Sequence, residues 1–296
     1  MKYNEKGKHV RDLQQALLSA GYELPRYGAD GHFGEESWDA LKEFALDHDF
    51  VWAPEISDGL VSAMLKQMQA NPVDHLSRLL FFDLRNEPVP FDKGSRFRMK
   101  DGNVLRRNPA VVDGIVIHQT GVQFGVNDRQ IDRAGGDEDL ALARRAKGIP
   151  AHAVSFEGFY VKNYPLDFYC YHAGRLNRKT LGLEVDGLYP GVEGDLSTIW
   201  GGKTETTFTK GRQEAARAAL RFLVEEGRQK GMPIKYIYAH RQSSKTRRAD
   251  PGEEIWRKVV LEYGVPVLGL ETRPTSIFGE GRVIPEVWDP NGSGMY

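Results

Sequence analysis

Five apolar runs of strand length, at residues 111–118, 151–156, 159–162, 180–186 and 234–240, are separated by helical stripes and polar connections. This interleaving constrains the chain more than anything else in its sequence. Runs of four to eight residues rich in Val, Ile, Phe and Tyr read as strands, and strands alternating with amphipathic helices imply a mixed central sheet flanked by helices, an α/β fold. The helical stripes are explicit. Ala215, Ala216, Ala219, Leu220, Leu223 and Val224 recur on one face, behind Thr209 as N-cap, and Ile255, Trp256, Val259 and Val260 form a second stripe. Two of the strand-like runs end on histidine, His118 and His240.

The first 70 residues carry a different pattern, that of a small all-α unit. Val10, Leu13, Leu17 and Ala20 share one helix face that stops at Gly21, then comes a turn-rich stretch from Tyr27 to Gly34. Trp38, Leu41, Phe44 and Ala45 give a second stripe, and Leu60, Met64, Leu65 and Met68 a third. The expected organisation is a helical domain over 1–70, a connection over 71–109 with one short helix around Asp74 to Phe82, an α/β domain over 110–265, and a tail over 266–296. The tail either wraps on that domain or is a partly mobile end. The polar stretch from Gln119 to Ile149 is expected to be a surface excursion with a helix over one edge of the site.

Composition narrows the function classes. A net charge of −1 gives no electrostatic reason to expect nucleic acid or an anionic membrane as partner. The N-terminus lacks the apolar segment of a signal peptide, and no run is long and apolar enough to span a bilayer, so the expectation is synthesis in the cytoplasm and no membrane insertion. Cys170 is the single cysteine, which rules out an intramolecular disulfide and a Cys-rich zinc site.

Two imidazoles and a carboxylate at the ends of ordered elements suit a catalytic zinc, because three protein ligands leave a fourth tetrahedral position open. His118, His240 and Asp250 are such a set. Each also has a plainer reading. A histidine at a strand end is ordinarily a boundary residue, and Asp250-Pro251-Gly252-Glu253 is a good helix start, with Asp250 as N-cap and Glu253 at the capping-box position. Spacing alone favours the cap. In the 180–186 run, Leu181, Leu183 and Val185 share one face and Gly182, Glu184 and Asp186 the other, so pattern alone reads Glu184 as a solvated acid.

Resemblance changes these readings. Residues 10–50, with Leu13-Gln14, Gly21-Tyr22 and Asp30-Gly31-x-Phe33-Gly34, look like a three-helix peptidoglycan-binding domain. From Val111 to Tyr263 the chain resembles the zinc-dependent N-acetylmuramoyl-L-alanine amidases, the family that includes amidase lysozymes and peptidoglycan-recognition proteins. The matching pieces, in order, are GIVIHQTG, PAHAVSFEGFYVKNYPLDFYCYHAG, TLGLEVDG and AHRQSSKTRRADPG.

The resemblance implies zinc held by His118, His240 and Asp250, with Asp250 also capping the last helix. It implies Glu184 as the acid-base residue and Arg248 as the cation that stabilises the oxyanion, with Lys245 and Arg247 as neighbours competing for that role. His152 and His172 are implied near the cleft as substrate-binding or ligand-orienting groups. The implied activity is hydrolysis of the bond between muramic acid and L-alanine in peptidoglycan, and a monomer is expected; the chain looks like an endolysin that reaches the wall after release, or equally like a bacterial enzyme for recycling or for delivery into another cell. The alternatives are a recognition protein that binds peptidoglycan without cutting it, and a wall hydrolase acting on another bond.

Overall fold

The structure is a computed structural model that describes residues 2–19, 22, 24, 31–47, 50–52, 57, 59–63, 66, 79–90, 96–199, 205–290 and 292. The chain divides into two units, Met1–Arg78 and Leu79–Tyr296.

In the first unit, helix α1 (Lys8–Ser19) and helix α2 (Glu35–Asp47) are followed by helical residues 59–63. The expected stripes form the core: Val10, Leu13 and Leu17 of α1 and Leu41, Phe44 and Ala45 of α2 are fully buried, together with Phe33. The Leu-Gln pair has a physical explanation. While Leu13 enters the core, the buried Gln14 side chain donates to Ser37 Oγ (2.8 Å) and His32 O (3.1 Å) and accepts from Gly31 N (2.7 Å). It therefore pins the turn before α2, at the point where Gly31 takes φ +80°, which suits glycine. Ala20, Gly21, Tyr27, Asp30, Met64, Leu65 and Met68 lie outside the described residues.

The second unit is built on a seven-stranded mixed sheet of order β1-β6-β5-β7-β4-β8-β9. Its strands are β1 (Leu80–Asp83), β4 (Gly114–Gln119), β5 (Ala153–Ser155), β6 (Phe159–Lys162), β7 (Thr180–Val185), β8 (Tyr236–Ala239) and β9 (Glu271–Thr272); β2 (Met99–Lys100) and β3 (Asn103–Val104) form a separate antiparallel hairpin. Strand β4 is central and parallel to both β7 and β8. All six of its residues are buried, which is why its sequence is a continuous apolar run rather than an alternation. Parallel pairing sets the carboxyl ends of β4, β7 and β8 side by side, the usual position of ligand sites in open α/β sheets.

Helices α3 (Asp128–Arg133) and α4 (Glu138–Ala146) occupy the polar excursion after β4. Helix α5 (Lys210–Gln229) packs on β5, β6 and β7, and its expected stripe is buried throughout. Thr209 caps it as expected, its side chain accepting from Arg212 N. Helix α6 begins at Glu253–Ile255 and continues as a π-helical segment, Trp256–Gly264, against α5.

Two parts differ from expectation. Leu80, Phe81 and Phe82, placed in a short helix by sequence, belong instead to an edge strand, Leu80–Asp83, in parallel register with β6. Phe81 stacks on Tyr160 and Phe82 packs edge-on to Phe159, a pairing that outweighs local helical preference. Asp74–Arg78 lie outside the described residues. From Leu79 onward the expected connection belongs to the second unit: Phe97 is buried and bridges Cys170, and the Arg107 guanidinium donates to Asn177 O, Thr180 O and Leu166 O in the core. The tail beyond 265 wraps on the same unit, adding β9 to the sheet and burying Trp288 completely. No helix among the described residues is long and apolar enough to cross a membrane.

Candidate metal centre

His118 is the fifth residue of β4 and stands in register with Glu184 of β7. Ile117 of β4 is paired with Ala239 of β8, so His240, one residue beyond, arrives beside His118. The sheet register thus assembles three of the expected site residues. The fourth, Asp250, comes back at the end of the 241–249 loop. Ligand atoms of His118, His240 and Asp250 all lie within 4.8 Å of one another.

Asp250 is held by the backbone of β4. Its Oδ1 accepts from Gln119 N at 3.0 Å, and its Oδ2 lies 2.9 Å from His240 Nδ1. Gln119 fastens the loop further. Its amide donates to Ala249 O and Tyr189 O, and its Oε1 accepts from Tyr189 N. The expectation that Asp250 also caps the last helix is therefore corrected. Helix α6 starts at Glu253 with Gly252 as its N-cap and no side-chain cap, and both Asp250 oxygens are engaged at the site. The Asp-Pro-Gly signal resembles a cap in sequence, but the His240 imidazole and the β4 amide take the carboxylate instead.

The donor chemistry fits a cation. His118 Nδ1 and His240 Nδ1 are 2.9 Å apart, and His240 Nδ1 is also 2.9 Å from Asp250 Oδ2. One proton on His240 Nδ1 serves one of those contacts well, whereas a cation serves all three lone pairs. Tetrahedral zinc with bonds of about 2.0–2.1 Å separates its ligand atoms by about 3.3 Å, close to the spacing of these pairs.

Hydrogen bonding beyond the three residues selects the tautomer of His118. Thr180 O faces His172 Nε2 at 3.3 Å, so His172 carries its proton there and Nδ1 is left as an acceptor. That Nδ1 is 3.1 Å from His118 Nε2, which then donates to it, leaving the His118 Nδ1 lone pair turned toward His240 and Asp250. His152 lies one ring further along. Its Nδ1 accepts from Gly182 N and its Nε2 faces Phe168 O.

Electrostatics agree with ligands in their neutral form. Burial, then the charges of His240 and His172, hold the His118 imidazole well below its ordinary pKa. Burial, then Arg107, lowers His172 to about 3, and burial, then Arg107, also lowers His152. Glu184 behaves oppositely. Burial, then the nearby Asp250 carboxylate, raises it well above the ordinary range, while Arg247 opposes the rise. Its Oε1 is 4.0 Å from His118 Nδ1, and its Oε2 is closed off from solvent without a hydrogen-bond partner.

Glu184, His240 and Asp250 line a cleft of about 360 Å³ together with Arg96, Phe124, Tyr171 and Arg247. His172 is in its wall, whereas His152, completely buried, lies behind it. Of the loop cations, Arg247 reaches the cleft, whereas Arg248 lines a separate cavity on the other side of the loop. The loop turns Arg248 that way because its carbonyl accepts from the Arg241 guanidinium. Sequence reading also missed Gln119, whose only signal was a polar residue directly after a strand-end histidine.

Comparisons with known proteins find relatives by sequence and by structure. A family model described as N-acetylmuramoyl-L-alanine amidase matches residues 107–253. A "Probable N-acetylmuramoyl-L-alanine amidase" of Bacillus licheniformis is 36% identical over 67 residues, spanning 21% of this chain and 19% of that protein. Among solved structures, an endolysin N-acetylmuramoyl-L-alanine amidase, LysCS, from Clostridium intestinale URNW is 14% identical with a TM-score of 0.38, covering 65% of this chain and 97% of that one. The ectodomain complex of peptidoglycan recognition proteins LCa and LCx bound to tracheal cytotoxin is 16% identical with a TM-score of 0.37, covering 62% and 95%. The family match takes in β4, β7, β8 and the loop to Asp250, so residues 107–253 carry an N-acetylmuramoyl-L-alanine amidase family domain.

Proposed function

We propose that the chain is a zinc-dependent peptidoglycan hydrolase that cleaves the amide between the lactyl group of N-acetylmuramic acid and L-alanine of the stem peptide, and that it works as an endolysin. The observation that carries this reading is the convergence of His118 Nδ1, His240 Nδ1 and an Asp250 oxygen beside the unpartnered Glu184 carboxylate. His118, His240 and Asp250 would hold the metal. Zinc there supplies Lewis acidity, polarising the scissile carbonyl and acidifying water.

The remaining chemistry falls to the chain's own groups. Glu184, next to His118 and shut off from bulk water on Oε2, takes a proton from the attacking water and returns it to the leaving amine. Burial and the Asp250 carboxylate, which raise its pKa above the ordinary range, favour its taking up that proton. Arg247, in the cleft wall, offsets negative charge developing on the carbonyl oxygen. His172 fixes the ring of His118 in the ligand tautomer, and Gln119 fixes Asp250. The helical unit 1–78 acts as a wall-binding module that raises the effective concentration of the hydrolase on its polymer.

Digestion of purified peptidoglycan followed by mass spectrometry tests the reading. The expected products are intact glycan strands and peptides with a free L-alanine amino terminus. Reducing sugar ends, or cuts within the peptide, would sink the bond assignment, and binding without products would make the chain a recognition protein.

A further inference from the structure

Opposite the cleft, across the same loop, lies a larger cavity of about 650 Å³. Its volume is within the ~300–1,000 Å³ range of small-molecule sites. Four cationic side chains line it, Arg241, Lys245, Arg248 and Arg282, and no acidic residue is among its described lining. Lys245 is neutralised at the rim by Glu280 at 2.8 Å. The three arginines have no carboxylate partner among the described residues. Arg241 donates to Val283 O and Arg248 O, and Arg282 donates to Lys245 O.

Guanidinium groups from two segments, the 241–249 loop and the tail, gathered around one space are a recurrent solution for phosphate, whose oxygens point in several directions and can accept from more than one donor plane. The space exceeds what one such group fills, and Val192 and Ile199 give it an apolar wall. We infer that this cavity is a binding site for a phosphate group borne on an organic carrier, held by Arg241, Arg248 and Arg282, and separate from the metal centre.

Positions along the loop separate the two sites. His240, Arg247 and Asp250 line the cleft, while Arg241, Lys245, Thr246, Arg248 and Ala249 line the cavity. A ligand on the cavity side would therefore not need to touch the three metal-binding candidates.

Calorimetric titration of the full chain with inorganic phosphate, at constant ionic strength, tests the site. Arg282→Gln and Arg248→Gln are the informative variants, since both side chains are exposed and their loss leaves the core alone. Asp250→Asn is the control for phosphate bound in the cleft instead. The expected result is saturable binding that persists in Asp250→Asn and weakens at least tenfold in each arginine variant. A second titration with a short poly(glycerol phosphate) addresses the carrier, and binding at least as tight as that of free phosphate is expected. Absence of saturable phosphate binding, or affinity unchanged in both arginine variants, overturns the site. A polymer that binds more weakly than the free ion overturns the carrier.

Discussion

The hydrogen-bonded series from Thr180 O through His172 to His118 makes a sharp prediction about metal affinity. Replacing His172 with alanine removes the acceptor that fixes the His118 proton on Nε2, leaving a buried N–H without a partner. An unsatisfied buried donor costs about 1–3 kcal/mol. Loss of a group that orients a metal-binding histidine typically costs about 10–100-fold in affinity, or about 1.4–2.8 kcal/mol.

A second perturbation reaches the same bond from the other side. A Cβ built on Gly182 would lie 3.0 Å from His172 Nδ1 and 3.1 Å from its Cγ, so Gly182→Ala forces the ring to shift by a few tenths of an ångström. The shift is expected to weaken the metal in the same direction, by less than His172→Ala. The assay is zinc titration in competition with a chromophoric chelator, with melting curves of the metal-free proteins to verify folding. A folded His172→Ala protein that binds zinc within twofold of the parent refutes the tautomer argument.

Other perturbations test separate parts of the structure. Glu184→Gln is expected to lower turnover by about 10²–10⁴-fold without lowering the melting temperature, because it replaces a buried carboxyl whose Oε2 has no hydrogen-bond partner; unchanged turnover would remove Glu184 from the mechanism. Asp250→Ala should abolish zinc binding and also loosen the end of β4, because Gln119 N loses its acceptor, whereas Asp250→Asn should spare the fold; equal melting temperatures for the two would contradict the structural role. Lys147, buried and bonded to Leu84 O and Asn163 O, has its pKa lowered by burial to about 8. Between there and the ordinary value of ~10.4 the unfolded chain binds more protons, so this group makes stability rise with pH by up to ~1.4 kcal/mol per unit. Urea unfolding at pH 7.5 and 9.5 should show that rise relative to Lys147→Met, and parallel behaviour of the two proteins would refute it. Trp288→Ala should destabilise the second unit by about 3–5 kcal/mol, since the ring is fully buried and donates to Gly191 O; a loss under 1 kcal/mol would mean the tail contributes little.

What could be read from the sequence follows the range of the forces involved. His118 and His240 were legible as neighbours because parallel strands bring their carboxyl ends together, and the apolar runs that define those strands are local. Glu184 was ambiguous because the face opposite Leu181, Leu183 and Val185 is solvated in many sheets, whereas here it is covered by the loop carrying Asp250 and by the histidines. The choice between Arg247 and Arg248 could not be read at all. Consecutive loop residues point apart, and which of them enters the cleft is set by a bond from Arg241 to one carbonyl. The edge strand Leu80–Asp83 was missed for a related reason, since four residues carry too little periodicity to outweigh a neighbouring helical pattern and only the partner strand Phe159–Lys162 decides their conformation.

The place of β4 in the sheet also sets a timetable. Its partners β7 and β8 are both made after it, and His240 follows His118 by 122 residues. At about 5–20 residues per second, translation takes roughly 6–24 s to span that interval. For that time Ile115, Val116 and Ile117 lie in a nascent chain that lacks β8, and for about the first half of it they lack β7 as well. A polypeptide still on the ribosome therefore lacks the metal centre until β8 and the loop to Asp250 have emerged, and the same interval is when its most apolar strand is open to aggregation and most in need of a chaperone.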